Sequence, residues 1–449
     1  MRNDNARWLS AGDPSLIASS LTERFAQQFG REAAGVWFAP GRANLNGEHI
    51  DFHGGRCLPM ALPHGTYVAA APRTDGLLQL RTLDINLDEG VIEIPAGQTG
   101  PKKDDGESVG STATWTQYVS GVLWALQQLD DEHSELRPAS DFGADLLIRT
   151  TLPIGAGLSS SASLECAAAL AFVAVGTQTG EENEGAELTR ALSDQQRAVL
   201  AEACIRAEVE VVGAGTGGLD QTTSMRGAEG KLLSLDCRDF SLKRLDISFL
   251  LRGYRFIAVD TGQPHQLAAS AFGDRRAESE AAADLLGVKR LRDALPSTCR
   301  KIDVEEVLEE FDRLSAGRAE INGFDTAACR RRLGHAVTEM VRSEKIHSLL
   351  TGEAHGVDHT ATMIGDAMTA GHTSMRESAE VSFELADRVV DTALAQGAVG
   401  ARLIGGGFGG SVLTLVSKDN AVEMIEAVAG LSPSIRFLEV TPSAAAHAV

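Results

Sequence analysis

The stretch from Leu164 to Val175 reads as apolar on every face of a helix, with Glu165 its one charged residue. A helix without a polar side has to be covered all round, so it belongs in the middle of a layered body. It is too short for a membrane span, which takes about 20 apolar residues. A strand at 145–151 leads into it through Leu152-Pro153-Ile154-Gly155-Ala156-Gly157-Leu158-Ser159-Ser160-Ser161-Ala162-Ser163. The glycines let backbone amides approach a ligand, and the serines are placed to cap the helix. The free amides and positive dipole end then face the loop and make an anion site. No GxxxxGK[ST] is present, so the turn is not a P-loop. The competing reading is a serine-capped helix after a tight turn.

Around this element the pattern is mixed. A polar helix is expected at 14–29, and a strand at 36–39 closed by a Pro40-Gly41 turn. Strands at 57–62, 66–72 and 78–82 follow, then a surface loop at 97–114 and a helix at 115–129. Ser193-x-x-Gln196 has capping-box spacing and opens a helix to about Val212 that stops at Gly213. Strands at 231–236 and 254–260 begin a second half. Helices at 276–293, 303–314, 328–350 and 376–397 come next, and strands at 412–417 and 435–440 close the chain. Strands interleaved with helical pairs, without a steady βαβ beat, predict an α+β fold. With 449 residues two domains are expected, 1–225 and 226–449.

The formal charge of −21 excludes nucleic acid and anionic membrane as partners, since both require a basic footprint. If the ligand is a polyanion, its charge must be met by a metal and a few local groups. Cys57, Cys166, Cys204, Cys237, Cys299 and Cys329 lie far apart without a CxxC pair, and read as small core residues. The first ten residues carry no basic-then-apolar signal, so a cytoplasmic protein is expected.

Two more glycine-rich segments stand out. Pro40 to Asp51 packs Arg42, Asn44, Glu48, His49 and Asp51 into ten residues between strands. Such clustered donors and acceptors suit recognition of a polyhydroxyl compound, although a solvated turn with an incidental ion pair would look the same. Gly405 to Gly410 contains GxGxxG, as does Gly213 to Gly218. The first precedes a strand-like run and the second follows a helix, which contradicts a dinucleotide fingerprint. On the 197–212 helix Glu208 shares the stripe of Leu200, Cys204, Ala207 and Val211, where a carboxylate needs a partner or a metal. Glu210 lies on the wet side. Asp220 sits in a Gly-Gly-Leu-Asp-Gln turn twelve residues after Glu208. His347, His355, His359 and His372 read as solvated loop histidines, despite the metal-like spacing of the middle pair.

At these residues the chain resembles the galactokinase family, within the superfamily of homoserine, mevalonate and phosphomevalonate kinases. Residues 40–52 resemble the family's signature, 157–163 the superfamily's phosphate loop, and 405–410 its third motif. Trp115-x-x-Tyr118 with Gly121 is similar too. The resemblance implies a two-domain kinase with its site in the cleft, transferring the γ-phosphate of ATP to the anomeric hydroxyl of D-galactose. It implies catalytic roles for Arg42 and Asp220, with Asp220 accepting the hydroxyl proton and Arg42 holding it ionised. It implies sugar binding by Glu48, His49, Asp51 and Gly217, and adenine contacts from Trp115 and Tyr118. Phosphate contacts would come from Gly155, Gly157, Leu158, Ser159, Ser160 and Ser161, and a Mg2+ ion would be held by Ser161 and Glu208. A monomer or weak homo-oligomer is expected. Asn46 stands at the family's usual isoleucine, Phe52-His53 at Tyr-Asn, Ser411 at a common cysteine. Phe272, aligned through Pro264-His265-Gln266-Leu267, falls at a sugar-holding tyrosine and lacks its hydroxyl. A kinase of a related sugar (an amino sugar, a uronic acid or arabinose) and a non-catalytic sugar and ATP sensor are the alternatives.

Overall fold

The computed structural model describes residues 6–84, 90–101, 114–176, 184–263, 268–296, 299–353 and 355–449. Most of the loop expected at 97–114, and Pro264-His265-Gln266-Leu267, lie outside them.

The strands β1 (Gly35–Asn44), β2 (Arg56–Cys57), β3 (Pro59–Arg73), β4 (Leu77–Thr82), β5 (Ile92–Pro95) and β6 (Gly143–Thr150) precede the serine turn. After it come β7 (Lys231–Asp236), β8 (Ser241–Asp246), β9 (Tyr254–Asp260), the small hairpin β10 (Glu320–Ile321) and β11 (Phe324–Asp325), β12 (Ala398–Ile404), β13 (Ser411–Ser417), β14 (Arg436–Val440) and β15 (His447–Ala448). They form a six-stranded sheet in the order β15-β1-β3-β6-β4-β5, a four-stranded sheet β12-β13-β9-β14 and a three-stranded sheet β2-β7-β8. The chain therefore ends on the sheet it began, with β15 against the outer edge of β1.

Helices cover these sheets. α1 (Pro14–Phe29) is started by the Asp13 carboxylate, which accepts from the amides of Ser15 and Leu16 at 2.9 and 3.1 Å. Its buried Ile17, Leu21 and Phe25, four residues apart, lie on the six-stranded sheet. On the opposite face lie α2 (Thr114–Gln127), α3 (Ser160–Gly176), α4 (Glu184–Ala191) and α5 (Asp194–Arg206). α3 is the fully covered helix, with all residues from Cys166 to Val175 buried. The capping box is formed: the Ser193 hydroxyl accepts from the Gln196 amide, and the Gln196 side chain from the Ser193 amide. α6 (Leu219–Arg226) leads into the second half, with α7 (Ala268–Leu285), α8 (Lys301–Leu314), α9 (Thr326–Thr351), α10 (Val357–Ser374), α11 (Glu384–Ala395) and α12 (Ala421–Ala429). We propose dividing the chain at about residue 225, within α6, into two halves. One shared core joins them, with Leu45, Met60 and Leu158 packed among Phe256, Ile364 and Leu413.

Several local expectations change. Pro40-Gly41 is not a turn: β1 runs through it with a register shift between Pro40 and Arg42. A proline fits a bulge, where no ladder N–H is required. Strands expected at 57–62 and 66–72 are one long β3, and β5, β8 and β12 were not expected. Asp220 lies in the first turn of α6 rather than in a loop. The histidines are not a loop cluster. His355 and His359 are exposed at the start of α10, His347 bonds Ser234 Oγ at 2.7 Å, and His372 is buried beside Asp387. α10, which carries His359 and His372, was hidden by a Gly- and Thr-rich sequence that tertiary packing requires. A Cβ on Gly365 of α10 would lie 2.0 Å from the Val399 carbonyl oxygen, so helix and β12 meet backbone to backbone.

This contact predicts opposite outcomes for two helical glycines. Gly365→Ala should lower stability by about 1–3 kcal/mol through overpacking. Gly334→Ala on α9, where a Cβ would meet nothing closer than 3.9 Å, should raise it by about 0.4–1 kcal/mol. Urea titration of both variants checks the sign.

Candidate active site

The end of β1 touches the serine turn so closely that a Cβ on Gly41 would lie 2.5 Å from the Leu158 carbonyl oxygen. That contact delivers the next residue, Arg42, to the front of the turn. Its Nη1 donates to the Gly157 carbonyl at 2.7 Å, while Nε and Nη2 grip Asp220 Oδ1 and Oδ2 at 2.7 and 3.0 Å. The Ser159 hydroxyl donates to Asp220 Oδ2 as well. Arg42 is buried, whereas the Asp220 side chain keeps 25% of its surface open. Burial opposes the Arg42 charge, but the carboxylates of Asp220, Glu48 and Asp51 outweigh it and raise the guanidinium pKa. Ser159 has φ +60°, a left-handed conformation that points its hydroxyl at Asp220 instead of capping α3.

On one side of this pair lies the loop from 45 to 55. Glu48 is buried and accepts from the Gly405 amide at 2.9 Å. Burial pushes its pKa up to about 7 against the pull of Arg42 and Arg402. Asp51 is raised to about 6, first by burial and then by the charge of Asp220. A Cβ on Gly217 would fall 2.3 Å from Asp51 Cγ, so only glycine lets that carboxyl approach the start of α6. His49, at φ +60°, sits against Phe272 with ring centroids 5.1 Å apart. Its Nε2 is 3.2 Å from the Gly406 carbonyl, which can only accept, so Nε2 carries the proton. Burial lowers its pKa to about 3, leaving a neutral imidazole.

On the other side is a cavity of about 230 Å3, lined by Trp115, Tyr118, Ser160, Ser161, Asp84 and neighbouring apolar groups. α3 starts at this wall, so its free amides and positive dipole end face the hollow. Gly157, Leu158 and Ser159 do not line it: their polar atoms go to Arg42 and Asp220. Gly155 is not in the lining either. Trp115 Nε1 is buried without a partner among the described residues.

Glu208 lies in a wide turn, Ala207–Val212, that ends α5 at Gly213. The Gln221 amide donates to it and, at 3.0 Å, to Glu165 on α3. Burial, followed by the charge of Asp220, lifts the Glu208 pKa to about 7. Gln221 was not expected from the sequence. Neither was Glu165, although a lone carboxylate inside an otherwise apolar helix was a visible signal. Glu165 is fully buried with one oxygen unpartnered, and burial raises its pKa. Among the described residues no group of three or more His, Cys, Asp or Glu could hold a metal ion, and no helix is long and apolar enough to cross a membrane.

Known proteins are similar to this chain in sequence and fold. The galactokinase galactose-binding signature matches residues 23–72, the GHMP kinase N-terminal domain 117–228 and the GHMP kinase C-terminal domain 354–431. The galactokinase of Streptomyces coelicolor is 38% identical over 441 residues, covering 96% of this chain and 98% of the relative. That of Exiguobacterium sibiricum is 31% identical, covering 91% of each. The structure of Lactococcus lactis galactokinase complexed with galactose superimposes with a TM-score of 0.74 at 27% identity, covering 96% of this chain and 99% of that one. A Methanococcus jannaschii mevalonate kinase shares the two-domain α+β fold, with a TM-score of 0.56 at 17% identity. A signature loop beside a serine turn, near-complete coverage at 38% identity and the same fold lead to one assignment: the chain belongs to the galactokinase family.

Proposed function

We propose that this chain is an ATP-dependent galactose kinase that transfers the γ-phosphate of ATP to the anomeric hydroxyl of D-galactose, giving galactose 1-phosphate and ADP. The observation that carries the reading is the Arg42–Asp220 pair, set between an adenine-sized hollow and a pocket of acids and one neutral histidine. The carboxylate of Asp220 accepts three hydrogen bonds, from Arg42 twice and from Ser159. A carboxylate has about four acceptor sites, which leaves one for a sugar hydroxyl. Asp220 orients that hydroxyl and takes its proton, while Arg42 steadies the charge that develops during transfer. Phosphoryl transfer depends mainly on such positioning and neutralisation.

Glu48, His49 and Asp51 bind the sugar hydroxyls, with Phe272 as an apolar wall beside His49. Trp115 and Tyr118 flank the base, and the start of α3 faces the phosphates. Among the described residues the cavity lining carries no lysine or arginine, which leaves the α3 amides and a cation to meet phosphate charge. Ser161 and Glu208 suit magnesium, which takes hard oxygens and few protein ligands. A carboxylate with its pKa lifted to about 7, and bonded among the described residues to an amide rather than to a cation, fits that use. Bound there, the ion would neutralise the phosphate oxygens.

An assay of ADP release with galactose tests the reading. Asp220→Asn should still bind galactose yet lose turnover by at least about 100-fold; near-normal turnover would refute the role. Phe272→Tyr should lower the galactose KM about two- to twelvefold, since a regained hydrogen bond contributes about 0.5–1.5 kcal/mol.

The acids also set a pH dependence. Glu48 and Asp51 accept from sugar hydroxyls most strongly when ionised, so kcat/KM for galactose should climb as pH rises through about 6 to about 7. For stability the sign is the reverse. Their folded pKa values lie above the ordinary 4.5 and 3.8, so the native state holds protons the unfolded chain has lost, and their contribution falls as pH rises from about 4 to about 7. The pH profile of kcat/KM in Glu48→Gln should lose the upper inflection.

A further inference from the structure

The signature loop is held from behind by groups that touch neither the nucleotide cavity nor the Arg42–Asp220 pair. Helix α9 presents His335, Glu339 and Ser343 at four-residue spacing, hence on one face. Each meets one loop residue, in reverse order. His335 Nε2 donates to the Glu48 carbonyl at 3.1 Å, the Gly47 amide donates to Glu339 Oε1 at 2.8 Å, and Asn46 Nδ2 donates to Ser343 Oγ at 2.8 Å. Arg402 on β12 closes the set, its Nη1 lying 2.6 Å from Asn46 Oδ1 and 2.8 Å from Glu339 Oε1. Arg342 Nε binds the other Glu339 oxygen at 2.8 Å. Asn46, Glu339, Ser343 and Arg402 are all fully buried.

A buried ion pair is a poor source of stability, because desolvation of both ions cancels most of their attraction, and an apolar pair of the same volume does as well or better. Its presence here calls for another benefit, and the bonding pattern supplies one. The pair directs hydrogen bonds at two consecutive loop residues, Asn46 through its side-chain amide and Gly47 through its backbone amide, groups that no apolar side chain could hold. His335 on the same helix face holds the carbonyl of the next residue, Glu48. The next residue, His49, is in a left-handed conformation that a free loop would leave. Two residues after Arg402 the strand ends, and the amide that follows binds the Glu48 carboxylate. The loop is thus fixed from α9 through the Gly47 amide, the Glu48 carbonyl and the Asn46 side chain, and from β12 and the residue after it through the side chains of Asn46 and Glu48.

We propose that the Arg402–Glu339 pair, with Asn46 and Ser343, is a positioning device for Glu48 and His49. It sets sugar affinity and takes no part in nucleotide binding. The inference rests on the galactose-kinase reading of the same site. It also accounts for asparagine at position 46, whose amide is bonded on both sides.

The test is steady-state kinetics with thermal melting on three variants. Arg402→Met/Glu339→Met removes both charges, so neither is stranded in the interior. Asn46→Leu removes two hydrogen bonds without touching a charge. Glu339→Gln keeps an acceptor for the Gly47 amide. The double variant should raise the galactose KM at least about tenfold, with Tm within a few degrees of wild type and ATP KM within about twofold. Asn46→Leu should raise it about two- to tenfold. Glu339→Gln, if folded, should fall between wild type and the double variant, a partial rescue through the retained acceptor. Unchanged galactose KM in the double variant and in Asn46→Leu would overturn the proposal, whatever their Tm. Equal increases in both KM values would overturn it as well. A wild type that does not turn over galactose would overturn this proposal together with the reading it rests on.

Discussion

The two-point grip of Arg42 on Asp220 joins positions 178 residues apart, and the rest of the site is arranged by it. For the grip to form, the bulged end of β1, the serine turn and the first turn of α6 must meet at one point. Three supports bring them there. Gly41 lets the strand lie on the Leu158 carbonyl, Ser159 adopts a left-handed conformation to reach Asp220, and Ser224 of α6 donates to the Pro40 carbonyl at 2.7 Å. A fork-shaped guanidinium has little tolerance for misplacement against a carboxylate, so this contact also fixes the orientation of the sugar loop relative to the nucleotide hollow.

The second organising fact is crowding of acids. Glu48, Asp51 and Asp220 converge on one guanidinium, and Glu208 stands within reach of the Asp220 charge, in a protein whose formal charge is already −21. Burial lifts three of them toward neutrality, which makes the unliganded site one that sugar hydroxyls and a cation would relieve. Neighbouring histidines go the other way. His49 and His335 are driven to pKa values of about 3 and 4, so they act as fixed, neutral hydrogen-bonding groups rather than as switches. The histidines of the site are thus fixed in charge, while its acids titrate between about 6 and about 7.

Much of this was legible before any fold was known. The buried α3 and the capping box at Ser193 follow from local pattern and appear where it put them, whereas α5 stops at Arg206 and Glu208 is carried by the wide turn after it rather than by a continuing helical stripe. The resemblance of residues 40–52, 157–163 and 405–410 to one kinase family named the fold and the chemistry, because such segments keep their residues where backbone and ligand leave no room for others. Gly217 against Asp51 is one such place. What failed was local inference about elements whose cause is distant. α10 reads weakly as a helix because its glycines are there for β12, and Pro40-Gly41 reads as a turn because a bulge has no signature of its own.

The sequence by itself determined the covered helix, the acidic net charge, the turn chemistry around the serines and the polar side chains from which a site can be drawn. These depend on side-chain chemistry and on neighbours within a few residues. Only the tertiary structure decided which of those groups meet. It set Ser159 on Asp220 rather than on the helix it precedes, put Gln221 between two carboxylates, and ran the face of α9 along Asn46, Gly47 and Glu48 with Arg402 behind them. The physical reason is that such contacts join residues tens to hundreds of positions apart. Their free energy exists only after burial has removed water from both partners, and no local pattern in the chain encodes it.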